Sequence, residues 1–153
     1  MRKSIFDSVI VLLLFMIGCS GTETDKPPIM LKGQDPCDNC FMIINETKYS
    51  ASLKLENGEA KRFDDIGCML NYLNKNKDHV KKYWVYNYAN SEPLNANEAF
   101  FIHSTKIITP MGYGIIAFDS RLEASKYADN NKTEILTFKD LSNKYHQSNM
   151  EHN

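Results

Sequence analysis

Residues 49–63 read Tyr-Ser-Ala-Ser-Leu-Lys-Leu-Glu-Asn-Gly-Glu-Ala-Lys-Arg-Phe, and the fold is decided there. Tyr49 to Leu55 alternates as a half-buried strand does. Glu56-Asn57-Gly58-Glu59 carries the Asn-Gly hairpin signal, and Ala60 to Phe63 returns as the partner strand. Asp64 or Asp65 then stands where a helix needs an N-terminal cap. Ile66, Met69, Leu70 and Leu73 fall at i, i+3, i+4 and i+7, one apolar stripe along that helix. The pattern fades over Asn74 to Asp78. Tyr83 to Tyr88 (Tyr-Trp-Val-Tyr-Asn-Tyr) resumes as a strand. The unit is strand, strand, helix, strand.

The same order recurs downstream. Ala99 to His103 reads as a strand that Ile107-Ile108 continues, Pro110 to Gly114 turns, and Ile115 to Phe118 returns. Ala117-Phe118-Asp119 stands where the first unit has Arg62-Phe63-Asp64. Asp119 or Ser120 caps a helix with Ala124, Tyr127 and Ala128 on one side, and Glu134 to Phe138 closes as a strand. Neither unit can bury both faces of its own sheet, so the two must pack together. The expectation is an α+β protein of two ββαβ halves, residues 36–92 and 93–145, joined through Asn87 to Asn97. Residues 146–153 form a polar tail expected to fray.

The chain begins with a targeting segment over residues 1–18. Arg2 and Lys3 are a positive start, and Val9 to Ile17 is an apolar run too short to span a bilayer. Met16-Ile17-Gly18-Cys19 resembles the bacterial lipoprotein cleavage box. The resemblance implies cleavage before Cys19, with lipid on its sulfur and new amino group. Several acyl chains hold a protein to a membrane far more firmly than one. Residues 19–35, with Pro27 and Pro28, read as a flexible tether. Ser20 after the lipidated cysteine favours outer-membrane sorting, facing the periplasm.

About 135 residues remain after cleavage, enough for one domain or two small halves sharing a core. Eighteen Lys and Arg against nineteen Asp and Glu give a net charge of −1, with no basic stripe, which argues against nucleic acid as a partner. Of four cysteines, Cys19 is the lipid site. Cys37, Cys40 and Cys68 remain, an odd number that cannot all pair internally.

Chemistry concentrates in Cys37-Asp38-Asn39-Cys40-Phe41-Met42, three sulfurs in six residues. Thiolate and thioether are soft donors, and a site made only of them favours Cu(I). Phe41 to Ile44 reads as extended chain, so Cys40 and Met42, two apart, are expected to project from one face. Met111, in Thr109-Pro110-Met111-Gly112, is the natural third donor, because a turn is a poor place for a core side chain. Cys37 is a third thiolate, a disulfide partner or a spectator; these readings stay open. Cys68 falls nearly opposite its helix's apolar stripe and reads as packing, with metal contact the lesser alternative. Met69 lies on the stripe and reads as core. Met30 sits in the tether, with metal capture as its only suggested role. Asp64 and Asp65 read as caps rather than an acid–base pair.

The chain resembles the NosL family of copper-binding lipoproteins accessory to nitrous-oxide reductase. The match is carried by the lipobox at Cys19, by Cys37-x-x-Cys40-x-Met42, and by Phe63-Asp64-Asp65-Ile66-Gly67-Cys68-Met69-Leu70. Trp84-Val85, Thr109-Pro110-Met111-Gly112-Tyr113-Gly114 and Ala117-Phe118 complete it. The resemblance implies a periplasm-facing metallochaperone, not an enzyme. It would carry Cu(I) on Cys40, Met42 and Met111 for the copper-sulfide centre of apo nitrous-oxide reductase or its maturation machinery. Phe41 departs from the pattern, standing where glycine is expected.

Two other classes compete. A thiol–disulfide oxidoreductase using Cys37-x-x-Cys40 needs that pair at a helix N-terminus, where the thiol pKa falls. A general envelope copper buffer shares all the sulfur chemistry and differs only in having no dedicated client.

Overall fold

The structure is a computed structural model and describes residues 26–150; the targeting segment, Cys19 and the start of the tether lie outside the described residues. After a single turn of 3-10 helix at Thr47–Tyr49, the first half comprises β1 (Ala51–Leu55), β2 (Ala60–Phe63), α1 (Ile66–Lys75) and β3 (Val80–Tyr86). A short β4 (Pro93–Asn95) follows. The second half comprises β5 (Phe100–His103), β6 (Ile115–Phe118), α2 (Arg121–Asn131) and β7 (Ile135–Leu136), and α3 (Phe138–Met150) ends the described chain.

The halves share one topology. The first sheet runs β2-β1-β3-β4 and the second β6-β5-β7, each half placing its first strand between its other two, all antiparallel. The Asn-Gly hairpin sets the first register, pairing Ala51 with Phe63 and Lys54 with Ala60, and Gly58 takes the positive φ (90°) that its turn requires. Asp65 caps α1 by accepting the Gly67 N–H at 2.9 Å, and Ser120 caps α2 through the Glu123 N–H at 3.1 Å.

Two buried clusters result. The larger joins Leu53, Phe63, Ile66 and Met69 of the first half to Phe101, Ile115, Ala117 and Leu141 of the second. The smaller lies on the opposite face of the second sheet, where Ile102, Ile116 and Phe118 meet Ala124 and Ala128 of α2. Strand alternation assigns Phe101 to one cluster and Ile102 to the other. The second sheet is therefore covered on both faces. The halves also join through their backbones: Asn87 bridges Ala117 in parallel, and the Tyr88 N–H donates to the Ala117 carbonyl at 2.8 Å.

Four sequence expectations are corrected. β4 forms inside the expected connector, along the free edge of β3. Residues 107–108 belong to a loop, not to a continued strand; the Ile107 N–H closes onto the Ser104 carbonyl at 3.1 Å. A helix, α3, begins at Phe138 where a strand was expected to end, and it runs into the expected polar tail. Finally, residues 29–35 of the expected tether are fastened. The Ile29 carbonyl accepts from Arg62 Nε at 2.6 Å, and the Gly33 N–H donates to the Ile44 carbonyl at 2.8 Å.

Candidate metal centre

Residues 36–43 form a tight loop whose ends bridge Pro36 to Ile43. The Cys37 N–H donates to the Met42 carbonyl at 2.8 Å and the Phe41 N–H to the Cys37 carbonyl at 2.9 Å. Asp38 holds this loop to β2 twice: its N–H donates to the Arg62 carbonyl (2.8 Å), and its Oδ2 accepts the Arg62 N–H (2.7 Å). Closing the loop forces Phe41 to φ 64°, a left-handed conformation that glycine adopts without steric cost. The departure noted at Phe41 therefore falls where a side chain is strained, and the Phe41 side chain is 80% exposed. The left-handed residue also corrects the expected extended run from Phe41. Cys40 and Met42 do not share a strand face: Cys40 packs against the core, while Met42 is 58% exposed.

The loop lies over the first turn of α1. There the thiols of Cys37, Cys40 and Cys68 converge, with their sulfurs all within 4.8 Å of one another. All three are free; Cys37 and Cys68 are wholly buried and Cys40 is half-buried. The Cys68 thiol and the backbone amides of Asp64, Cys40 and Asn39 all favour the charged form of Cys37. Chiefly the Cys68 hydrogen bond, then these amides, pull the Cys37 thiol down to about 5 against the opposing effect of burial. The Cys68 thiol is pushed up for the complementary reasons: its hydrogen bond to Cys37 first, then burial, then Cys37's charge. Burial also raises Cys40, with the Met42 amide opposing. Of the three thiols, Cys37 therefore ionises most readily, and Cys40 and Cys68 hold their protons more tightly. A metal that takes the other two thiols must displace those protons.

Two carboxyls flank the cluster. Asp64 is nearly buried and raised, first by burial and also by the Cys37 charge; its Oδ1 has no hydrogen-bond partner. Asp65 is fully buried and joins the halves. Its Oδ1 caps α1, while its Oδ2 accepts the Thr109 hydroxyl at 2.5 Å and the Met111 N–H at 3.2 Å. Burial raises this carboxyl against those hydrogen bonds. Tyr113 completes the junction. A Cβ at Gly67 would fall inside its ring, and its hydroxyl accepts from Asn71 Nδ2 at 2.6 Å.

Of the four ligands chosen from sequence, the structure gathers Cys37 and Cys40. Met111 is placed with its backbone beside the first turn of α1 and its side chain 36% exposed, and Met42 is at the exposed rim of the loop. The residue that joins the cluster beyond that set is Cys68. The apolar stripe marks one buried side of α1, but the cysteine loop covers the helix's first turn from another. The signal present in the sequence was Cys68's position three residues after Asp65, in the first turn of the capped helix. Met30 is partly buried against the main core. The Cys37-x-x-Cys40 pair lies in a turn, not at the helix start that an oxidoreductase pair occupies.

A compact α+β scaffold of two ββαβ halves, with three cysteine sulfurs under one loop, defines a thiol-centred protein whose donor set suits a soft metal ion. The chain belongs to the NosL family, whose model matches residues 28–146. The fold is also that of the copper chaperone NosL from Shewanella denitrificans, known from a crystal structure. The two superpose with a TM-score of 0.65 at 18% identity, over 75% of this chain and 95% of that one. No curated protein matches the chain.

Proposed function

We propose that this chain is a lipid-anchored Cu(I) carrier of the cell envelope. It takes up copper through Cys40, Met42 and Met111 with Cys37, and yields it to apo nitrous-oxide reductase or that enzyme's maturation machinery. The observation that carries the reading is the convergence of three free thiols in a NosL-family chain. Thiolate and thioether donors around one ion select a soft, low-coordinate metal over the hard divalent ions. Cys40 is the half-buried member of the cluster, two residues from the exposed thioether of Met42. An acceptor's ligand can therefore reach the metal from the Cys40 side before the buried thiols release it. The likeness to a solved copper chaperone gives the same direction. The carrier catalyses no reaction; it moves an ion.

Anaerobic Cu(I) titration of the reduced protein, followed by transfer to apo reductase, tests this with Cys40→Ser and Met42→Ala. Wild type binds and delivers, Cys40→Ser loses affinity, and Met42→Ala delivers more slowly. Unchanged binding and delivery in both variants ends the reading. Deleting the protein in cells distinguishes a dedicated carrier from a general buffer. A carrier's loss leaves the reductase copper-poor while other envelope copper proteins stay loaded. Cys19→Ala, expected to abolish lipid incorporation and membrane fractionation, tests the anchor.

A further inference from the structure

Cys68 belongs to no ligand set drawn from the sequence motif, yet it is as deeply buried as Cys37 and meets it directly. We infer that Cys37, Cys40 and Cys68 form an inner three-thiolate station for Cu(I), distinct from an outer station at Cys40, Met42 and Met111, with Cys40 common to both. This deepens the carrier reading and rests on it.

The geometry supports closure. A metal–thiolate bond of about 2.3 Å in a trigonal plane places its sulfurs about 4.0 Å apart. The three sulfurs already lie within 4.8 Å of one another before any metal binds. A shift of a few tenths of an ångström brings them onto one ion, and the loop and helix need not part. The surroundings suit the charge that results. Three thiolates with one Cu(I) carry two negative charges, and burying these without donors is costly. Polar neighbours offset part of that cost: the Asp64, Cys40 and Asn39 amides favour the charged form of Cys37, and the Asn39 side chain favours that of Cys68. Cys68 also sits in the first turn of α1, where the helix dipole favours a thiolate. Burial divides the stations. Cys37 and Cys68 have no exposed surface, whereas Met42 and Met111 reach solvent. Thiolates hold Cu(I) more strongly than neutral thioethers, so the inner station fills first and the outer one serves uptake and release.

The wild type labelled with selenomethionine and given sub-stoichiometric Cu(I) tests this without any mutation. X-ray absorption at the copper edge is expected to show three sulfur neighbours and no selenium. Cys68→Ser and Cys68→Ala, each checked for native circular dichroism, should lower Cu(I) affinity by about 100-fold or more, at or beyond the loss typical of an outer-shell change. A selenium neighbour at full strength, or Cys68 variants that keep wild-type affinity and sulfur count, overturns the inner station. In that case the carrier reading still stands on its outer ligands. Wild type that binds no Cu(I) at all removes both. If both Cys68 variants lose their fold, the selenium experiment alone decides.

Discussion

Asp65 offers the sharpest test of how the two halves hold the site together. Its carboxylate has no exposed surface and accepts from three donors: the Gly67 amide of its own helix, and the Thr109 hydroxyl and Met111 amide of the other half. Asp65→Ala removes the helix cap, worth about 1 kcal/mol. It also leaves the O–H of Thr109, a residue 5% exposed, without its acceptor, at about 1–3 kcal/mol, although the hydroxyl oxygen keeps the Gly114 N–H. The Met111 amide is nearer solvent and adds about 0.5–1 kcal/mol. Relief from burying a carboxylate offsets part of this, since burial has already raised the Asp65 pKa. The net loss should be about 2–4 kcal/mol, a large fraction of the roughly 5–15 kcal/mol that holds a domain folded. Asp65→Asn keeps an oxygen for the cap and should lose about half as much. Urea unfolding, followed by fluorescence of the buried Trp84, measures it. With a slope of about 1–3 kcal/mol per molar urea, the alanine variant's midpoint should fall by about 1–2 M. A double-mutant cycle with Thr109→Val isolates the contact between halves, which should couple by about 1–3 kcal/mol. Strict additivity, or an alanine variant losing under about 1 kcal/mol, refutes the idea that this carboxylate latches the halves.

Further outcomes follow from the site's construction. Gly67→Ala forces a methyl into the Tyr113 ring and should destabilise by about 1–3 kcal/mol in urea unfolding, with partial rescue by Tyr113→Ala. Phe41→Gly releases a strained left-handed backbone and exposes little new surface, so stability should hold or rise by up to about 1 kcal/mol. Phe41→Val, β-branched at the same φ, should lose stability by the same assay. The reduced, metal-free protein should also grow more stable as pH rises from about 5 towards 9. Cys37 ionises near 5 when folded and near its ordinary value when unfolded, so the unfolded chain binds the extra proton throughout that window. Above the ordinary thiol range the trend reverses, because Cys40 and Cys68 keep their protons in the folded state only. From the ordinary carboxyl range upward, Asp64 and Asp65 act with the opposite sign, both being raised on folding. Thermal melts across pH, repeated with Cys37→Ser, check this; an unchanged rise in that variant removes Cys37 as its source.

Much of the scaffold was legible because short-range chemistry wrote it. The Asn-Gly turn sets the register of the first hairpin, Asp65 and Ser120 cap their helices, and the Phe of each recurring Phe-Asp ends a paired strand. The closing helix is the exception: read as the end of a strand, it carries its start signal in Thr137-Phe-Lys-Asp140. Thr137 Oγ1 accepts the Asp140 N–H at 3.2 Å and Asp140 Oδ2 accepts the Thr137 N–H at 3.1 Å, a reciprocal cap. Phe138, Leu141 and Tyr145 follow at helical spacing on its inward side. The site was only half legible. An apolar stripe reports one buried side of a helix and says nothing of a loop laid across its first turn, so Cys68 was read as packing. Nor does a phenylalanine announce a left-handed backbone. Only closure of the 36–43 loop imposes it, and with it the separation of Cys40 from Met42.

The division of labour between the halves carries its own consequence. Every cysteine of the cluster comes from residues 37–68, whereas the groups that clamp the underlying helix turn, Thr109, Met111 and Tyr113, come from the other half. The sulfur triangle is therefore built within one half, and the 109–113 turn can act on it only at second hand, through the helix turn that carries Cys68.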